Sequence, residues 1–217
     1  MPTQPYHTSD GKRVPSVSTI KGVYDGGKSE GLMRWARDLA LDGNLDALVV
    51  RDEAADIGTL AHAICTGFFT GEQPDMTGFT PEQQEAANSS ALSFFTWLGD
   101  HTFEPLLVEQ PLVSEVHRFG GTPDLYGLLD GAPTLVDLKT SKSIFLRGRL
   151  KADYALQMGG YTTLLREHGH EVAAVTVLGI PKTDDTPMEV YDLADIEACV
   201  NGFLWCLDGY RMAKGWK

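Results

Sequence analysis

The sequence predicts an α/β domain in which a mixed β-sheet is flanked by helices, with a helical region ahead of the sheet. Residues 120–142 contain two apolar, β-rich runs on either side of Asp130-Gly131. An Asp-Gly pair in this setting is a strong hairpin signal, because a type I′ turn needs positive φ at both central positions. Helical patterns precede this hairpin, and a helix, further strands and a last helix follow it, which is an element order typical of α/β domains.

Four helical patterns are expected before the hairpin. Residues 14–29 hold a short helix that is capped by Ser16 or Ser18 and stops at Gly26-Gly27, and a second helix follows it. In 51–70 an apolar stripe recurs at helical spacing. The stripe consists of Ile57, Leu60, Ala61, Ile64 and Phe68. After a loop at 71–79, the segment Thr80-Pro81-Glu82-Gln83 begins a helix toward Leu98, since it supplies a capping Thr and a first-turn Pro.

Strands and two helices are expected in the second half. The strand at 105–118 is broken at Pro111, and the other elements after the hairpin are a helix at 152–167, strands at 171–181 and 188–193, and a helix at 194–214. We expect one domain, 1–217, because this length suits a single core. Its parts are a loose segment at 1–14, a helical part at 15–100, a sheet core with one helix at 101–193 and a C-terminal helix at 194–217.

Composition is that of a globular protein without a membrane span. Apolar residues make up 42% and charged residues 22% of the chain, and no apolar run approaches the ~20 residues of a transmembrane helix. The N-terminus lacks the apolar region of a secretory signal, so we expect a cytoplasmic protein. The cysteines have neither CxxC nor metal-knuckle spacing and are expected to be buried thiols. They are Cys65, Cys199 and Cys206.

Charge is unevenly distributed along the chain. The net charge of −12 argues against a protein that coats duplex DNA non-specifically, because affinity for the phosphate backbone depends largely on Lys and Arg. The segment 139–151 is different, since it has basic residues and no acidic one. Its basic residues are Lys139, Lys142, Arg147, Arg149 and Lys151. This tract is either a solvated loop and helix start or a phosphate track.

The hairpin brings three charged side chains together. With Asp130-Gly131 as the turn, Asp124 lies opposite Asp137, and side chains in such a pair have Cβ atoms roughly 4.5–5.5 Å apart. Asp137 and Lys139 share a face because strand side chains alternate, and Leu138 points away. Pro133 removes a possible ladder donor, so the turn could be wider and the register shifted.

This arrangement suits phosphate chemistry with a divalent ion. Two carboxylates this close repel each other unless a cation or a proton lies between them. Oxygen ligands suit Mg²⁺, which can polarise a phosphoryl oxygen and lower the pKa of bound water. Lys139 could orient the attacking water or stabilise charge on the phosphate. The alternative is a surface hairpin with ordinary salt bridges.

The pattern Pro123-Asp124 … Asp137-Leu138-Lys139 resembles the signature of the PD-(D/E)XK nucleases. The closer resemblance is to their RecB-type exonuclease branch, which includes phage exonucleases and the mitochondrial genome maintenance exonuclease. Pro15-Ser16-Val17-Ser18-Thr19-Ile20, followed by Trp35, resembles the opening of those exonucleases. The likeness spans about residues 15–180.

The resemblance implies a restriction-endonuclease-like core and a metal-dependent DNA exonuclease. It implies that His62, in the motif Gly58-x-x-x-His62, joins Asp124, Asp137 and the Leu138 carbonyl around Mg²⁺ or Mn²⁺. Gln157 and Tyr161, four residues apart on one helix face, match the family's Q-x-x-x-Y element. Gln157 would therefore orient Lys139 or touch the phosphate, and Tyr161 would contact DNA or brace the site. Glu109 resembles an acidic residue before the core hairpin, or is a solvent-facing strand residue. No iron–sulfur cluster is expected, because some relatives use four cysteines and this chain has three.

Two other functions remain open at the level of sequence. Gly22–Ser29 matches the phosphate-binding pattern G-x-x-x-x-G-K-[ST], which would indicate a nucleotide hydrolase using Lys28, but no buried apolar strand feeds the loop. A non-catalytic module of the same fold could bind nucleic acid through 139–151. The resemblance favours phage or bacterial DNA recombination, replication or repair. The expected partner is single-stranded DNA or DNA ends, and a recombinase, single-strand-binding protein or helicase would be a protein partner.

Overall fold

The computed structural model describes residues 5–24, 28–43, 46–181 and 186–215, with side chains for all of them except 28 and 47–54. The elements in chain order are β1 (Tyr6–His7), β2 (Arg13–Val14), α1 (Val17–Lys21), α2 (Lys28–Leu41), α3 (Ala47–Thr70), α4 (Pro81–Gly99), β3 (Phe103–Val108), β4 (Leu112–Ser114), β5 (Phe119–Gly121), β6 (Leu125–Leu129), β7 (Ala132–Thr140), β8 (Phe145–Leu146), β9 (Arg149–Leu150), α5 (Ala152–Glu167), β10 (Ala174–Ile180), β11 (Glu189–Asp192) and α6 (Ile196–Lys214). The predicted class, α/β with a mixed sheet flanked by helices, is confirmed.

The central sheet has five strands in the order β11-β10-β7-β6-β3. β7 and β10 pair in parallel, and the other neighbours pair antiparallel. The parallel pair is connected by α5, as expected for a crossover between parallel strands. Because β7 lies in the middle of the sheet, its side chains are covered on both faces, which places Asp137 in the interior.

The register of the central hairpin is the predicted one. Leu125 pairs with Val136 and Leu129 with Ala132, so Asp124 lies one step beyond the strand pair, opposite Asp137. Asp130 and Gly131 have φ of 50° and 83°, as a type I′ turn requires. The concern about Pro133 is not realised. Pro133 follows the hydrogen-bonded pair at the turn, so its nitrogen points away from β6 and no β6–β7 bond is lost.

Helices cover both faces of the sheet. Leu135 of β7 belongs to a buried cluster with residues of α1, α5 and α6, including Met158 and Phe203. Val136 and Leu138 belong to a second cluster with α3 and α4, including Phe94. Strand residues alternate between faces, so Asp137 and Lys139 point to the α5 side. The α4 helix begins as predicted, with a capping box between Thr80 and Gln83.

Residues 5–14, where we expected a loose segment, contain the ribbon β1–β2, in which Tyr6 pairs with Val14. The Tyr6 hydroxyl is 2.8 Å from Thr122 Oγ1. A Cβ on Gly120 would lie 2.2 Å from Tyr6 Cγ, so only glycine allows this approach. The ribbon therefore packs against the segment that leads directly into Asp124, a long-range contact that local patterns do not predict.

Some local predictions need correction. α1 is capped by Ser16 as predicted but ends at Lys21, with Gly22 as its C-cap; Gly26-Gly27 lies outside the described residues. Phe68, assigned to the inward stripe of α3, is 61% exposed and makes edge contacts with Phe69 and Phe95. Cys65 and Cys206 are buried, whereas Cys199 is partly exposed. Among the helices described, none has the length and apolarity to cross a membrane.

Gly159 lets α5 and α6 approach each other closely. A Cβ at residue 159 would lie 2.0 Å from the Cys199 carbonyl oxygen of α6, and one on Gly160 would lie 2.9 Å from Phe203. These two helical glycines therefore allow the close contact between α5 and α6.

Replacing Gly159 by alanine is therefore expected to lower the free energy of unfolding by about 3 kcal/mol or more, because the backbone of α6 must move. Urea unfolding followed by circular dichroism measures the change. Gly31→Ala on α2 is the matched control, since nothing lies within 4 Å of its added Cβ, and we expect it to change stability by less than about 1 kcal/mol. Equal effects of the two substitutions would contradict this account.

Candidate active site

The site lies at the carboxyl end of β7. Asp137 is completely buried, and its Oδ2 pairs with Lys139 Nζ, two residues along the same strand face. Asp137 Oδ1 has no hydrogen-bond partner among the described residues. A buried carboxylate oxygen without a donor is costly, since it loses its hydration without replacement. One oxygen of the buried Asp137 carboxylate therefore keeps its hydrogen-bonding capacity unused.

The side chain of Asp124, the residue before β6, adds one hydrogen bond to the pairing of the hairpin. Its Oδ2 accepts a hydrogen bond from the Leu138 backbone N–H at 2.8 Å, in the place where a further β6 residue would have supplied a carbonyl. The same oxygen is 3.0 Å from His62 Nε2. Asp124 therefore links the sheet to α3, which delivers His62 to the site.

His62 lies between two acidic side chains. Its Nδ1 is 2.9 Å from Glu109 Oε1, opposite the contact of Nε2 with Asp124. Glu109 has φ of 46°, a left-handed conformation that is uncommon for a residue other than glycine. The sequence left two interpretations of Glu109, a residue of the site or a solvent-facing strand residue. Its contact with His62 and its strained backbone at the end of β3 favour the first interpretation.

The electrostatics of the two aspartates differ although they lie opposite each other. Burial raises the pKa of Asp137 to about 6, an effect that Lys139 opposes and Asp124 reinforces. Burial also acts to raise the pKa of Asp124, but the charge and hydrogen bond of His62, with Lys139, outweigh it and lower the pKa to about 2. Two like carboxylates in one buried site behave in this divergent way when only one has strong cationic partners.

The metal-free protein is expected to keep His62 protonated throughout the physiological range. Burial acts to lower the pKa of His62, but Asp124 and Glu109 raise it to about 10. Because this value exceeds the 6.5 of an ordinary histidine, the stabilising effect is complete below pH 6.5 and is lost as the pH rises towards 10.

NMR in the presence of chelator tests this expectation, with the His62 signals assigned by their absence in His62→Asn. The imidazole shifts should stay constant between pH 6 and 8.5 in the wild type. In Glu109→Gln the midpoint should move down, because one anionic partner is lost. A wild-type midpoint near 6.5 would be inconsistent with the paired geometry.

Gln157 and Tyr161 share the predicted face of α5 and are buried beside the aspartates. Gln157 Nε2 donates to the Tyr161 hydroxyl at 2.8 Å. Lys21 Nζ of α1 donates to Gln157 Oε1, also at 2.8 Å, and lies 3.9 Å from Asp153. Lys21 was not identified from the sequence. Only its position at the end of the short α1 helix, opposite α5 in the fold, connects it to the site.

Three lysines converge on one aromatic ring next to the aspartates. The Nζ atoms of Lys21, Lys139 and Lys151 are 5.9, 5.6 and 5.5 Å from the centroid of Tyr154. Tyr154 was also missed from the sequence, although Lys139 and Lys151 were both selected. The ring gives these cations a favourable contact. Asp137 lies beside Lys139 and Asp153 beside Lys21, so the three lysines and two carboxylates together keep a small net positive charge.

The rest of the basic tract forms a small hairpin instead of a loop. β8 and β9 pair through Leu146 and Arg149, and Arg147-Gly148 forms the turn with φ of 52° and 75°. Lys142, Arg147 and Arg149 are exposed, while Lys151 donates to the Ser143 carbonyl. The assignment of these residues to nucleic-acid binding stays a prediction, and their location beyond Lys139 is compatible with it.

The residues present suit a hard divalent cation. Asp124, Asp137 and the Leu138 carbonyl offer the oxygen atoms that Mg²⁺ prefers, and Asp137 Oδ1 has an unused lone pair. In the described part of the chain, no three His, Cys, Asp or Glu side chains already surround a common point. His62 would have to release Asp124 or Glu109 before it could bind a metal, so its predicted ligand role requires a local rearrangement.

Comparisons with known proteins give distant structural neighbours. No protein-family profile and no curated protein sequence matches the chain significantly. A crystal structure of a proposed exonuclease of Eubacterium rectale is 13% identical, with a TM-score of 0.49, and the match covers 82% of this chain and 73% of that one.

An alkaline exonuclease of Laribacter hongkongensis, LHK-Exo, is 18% identical with a TM-score of 0.36, covering 75% of this chain and 90% of its own. A second structure of LHK-Exo, in complex with dAMP, is 19% identical with a TM-score of 0.36, and the match covers 76% of this chain and 92% of that one. At such identities and TM-scores these neighbours do not establish a shared activity, so the function rests on the geometry of the site.

Proposed function

We propose that this protein is a metal-dependent DNA exonuclease of the RecB-type branch of PD-(D/E)XK nucleases, acting in phage or bacterial DNA recombination, replication or repair. One observation carries the proposal. Asp124 and Asp137 lie opposite each other at the end of a buried hairpin, with Lys139 on the Asp137 carboxylate and an Asp137 oxygen left without a donor. An ordinary structural salt bridge would not require a second buried carboxylate opposite the first.

The chain's own residues supply positioning and charge. Asp124 and Asp137, with the Leu138 carbonyl, would hold Mg²⁺ or Mn²⁺, which when bound can polarise a phosphoryl oxygen and lower the pKa of water. Lys139 Nζ lies beside Asp137 and 3.5 Å from the Leu138 carbonyl, where it can orient a water molecule and stabilise negative charge on the phosphate. Gln157 is fixed between Lys21 and Tyr161, so its side-chain amide lies on the α5 side of the site.

The geometry favours direct attack of water on phosphorus. The side chains that converge on the site are carboxylates, ammonium groups, an imidazole engaged on both nitrogens, an amide and two phenols, and none of these is an activated Ser, Cys or His nucleophile. Burial raises the pKa of the Tyr154 and Tyr161 phenols, so neither is an activated nucleophile. The bond to the leaving oxygen therefore breaks in the step in which the water oxygen attaches, without a covalent enzyme intermediate.

End-labelled single- and double-stranded DNA, with and without Mg²⁺ or Mn²⁺, tests the proposal. The wild type should release labelled product only when the metal is present, and Lys139→Ala should not. Lys28→Ala is the matched control, since it removes the lysine of the alternative phosphate-binding pattern, part of which lies outside the described residues. Cleavage that persists in chelator, or ATP hydrolysis that depends on Lys28, would overturn the proposal; metal-independent DNA binding without cleavage would identify a non-catalytic module.

A further inference from the structure

A cavity of about 650 Å³ adjoins the site on the α3 side. It lies between α3, the loop that follows it and the end of β3. Glu109 forms part of its wall, and the same carboxylate contacts His62 at 2.9 Å. The Glu109 backbone N–H also donates to the Asp124 carbonyl at 2.9 Å, so a residue of the cavity wall contacts Asp124 directly. Its volume is within the usual range of roughly 300–1,000 Å³ for small-molecule sites.

The charge of the cavity wall is negative. Glu72, Asp75 and Glu109 line it, and no lysine or arginine is among its lining residues. The His62 imidazole offsets the charge of Glu109, so Glu72 and Asp75 supply the net negative charge. A phosphate group in this space would lose its hydration and face carboxylates, both of which are unfavourable. An anionic occupant, such as an internucleotide phosphate of a continuing strand, is therefore disfavoured.

The same wall is well suited to a neutral nucleoside. Phe79 and Val108 provide aromatic and apolar surface, on which a base can stack. Threonine hydroxyls and the carboxylates can accept hydrogen bonds from exocyclic amino groups and sugar hydroxyls.

The two sides of the site thus have opposite polarity. On the α5 side, Lys21, Lys139 and Lys151 surround Tyr154. Asp153 and Asp137 offset two of these charges, and the remaining net positive charge suits a phosphate. On the α3 side the acidic cavity follows. A strand bound at Asp124 and Asp137 can place its phosphates near these lysines, whereas a strand that continued into the cavity would bring a phosphate against Glu72 and Asp75.

We propose that this cavity receives the terminal nucleoside of the strand, and that its acidic wall restricts cleavage to strand ends. The inference rests on the proposed nuclease function and adds a binding site and a reason for exonucleolytic action. Its occupant is a neutral nucleoside without a further phosphate.

Two substitutions and three substrates test the cavity. Ala63→Phe fills it from α3, and Thr59→Phe fills it from an exposed position if the first variant is unstable. Ala40→Phe, an exposed alanine on α2, is the matched control. The substrates are a linear oligonucleotide with natural ends, the same oligonucleotide with an abasic sugar at both ends, and a covalently closed single-stranded circle. The first cleavage is followed under single-turnover conditions with Mg²⁺.

The wild type is expected to cut the natural end roughly tenfold faster than the abasic end, since base contacts supply the difference, and to leave the circle intact. The filled variants should lose that preference, while Ala40→Phe keeps it. Cutting of the circle at the linear rate, or equal behaviour of Ala63→Phe, Thr59→Phe and Ala40→Phe, would overturn the inference and leave the nuclease function standing. Failure of the wild type to cut any substrate with metal would overturn the nuclease function itself.

Discussion

Asp137→Asn is expected to reduce the rate of DNA hydrolysis by about 10³-fold or more, because the buried carboxylate is the residue that the rest of the site is built around. Its side chain is completely buried, so the amide changes charge and ligand strength while keeping the shape. Single-turnover hydrolysis of end-labelled DNA at saturating Mg²⁺ measures the loss.

A second measurement on the same variant separates ligand loss from misfolding. A cation that binds only the folded protein raises its melting temperature, so Mn²⁺ should stabilise the wild type without DNA. Asp137→Asn should fold, as judged by circular dichroism, and show no such shift. Asp208→Asn, at a side chain 71% exposed on α6, is the control and should keep both activity and shift. An active Asp137→Asn protein would remove the basis of the proposed site.

The central hairpin could be predicted from sequence because its determinants are local. The Asp130-Gly131 turn sets the register, and the two-residue alternation of a strand sets the face of each side chain. Together they placed Asp124 opposite Asp137, as the pairing of Leu125 with Val136 shows. Helix ends were predicted best where a side chain caps the backbone, as at Thr80, because that signal spans only four residues.

Contacts between distant segments could not be derived in the same way. Lys21 reaches Gln157 across 136 positions, and Tyr6 reaches Thr122 across 116. Neither has a local pattern that indicates its partner, since the contact depends on how α1 and the N-terminal ribbon pack. The cavity beside Glu109 is formed by α3, a loop and a strand end, so its shape and charge are likewise properties of the assembled fold.

His62 shows that a sequence motif can place a residue at a site without predicting its contacts. The resemblance assigned it to a metal, and the fold brings it to Asp124. Carboxylates engage both ring nitrogens of His62. The position of His62 at the site could therefore be predicted from sequence, whereas its bonding partners could not. Glu109 supplies one of the two contacts, and the folded structure distinguishes this role from that of a solvent-facing strand residue.

Lys139→Met should lower kcat by about 10²-fold to 10³-fold while leaving the Mn²⁺-induced rise in melting temperature intact, because lysine stabilises charge on the phosphate and the oxygen ligands remain. Burial acts to lower the pKa of Lys139, but Asp137 and Asp124 outweigh it and raise the pKa. The side chain therefore stays an ammonium at assay pH and has no lone pair with which to accept a proton from water. Its contribution is electrostatic and orientational.

Comparison with the Asp137 variant makes this distinction measurable. Asp137→Asn is expected to lose both hydrolysis and the response to Mn²⁺, whereas Lys139→Met is expected to lose hydrolysis alone. Lys12→Met is the matched control, since that lysine is 74% exposed and pairs with Asp10 away from the site, and it should retain both properties. If Lys139→Met also lost the metal response, the lysine would be needed to hold the carboxylates in place. If it stayed fully active, the charge beside Asp137 would have no part in the reaction.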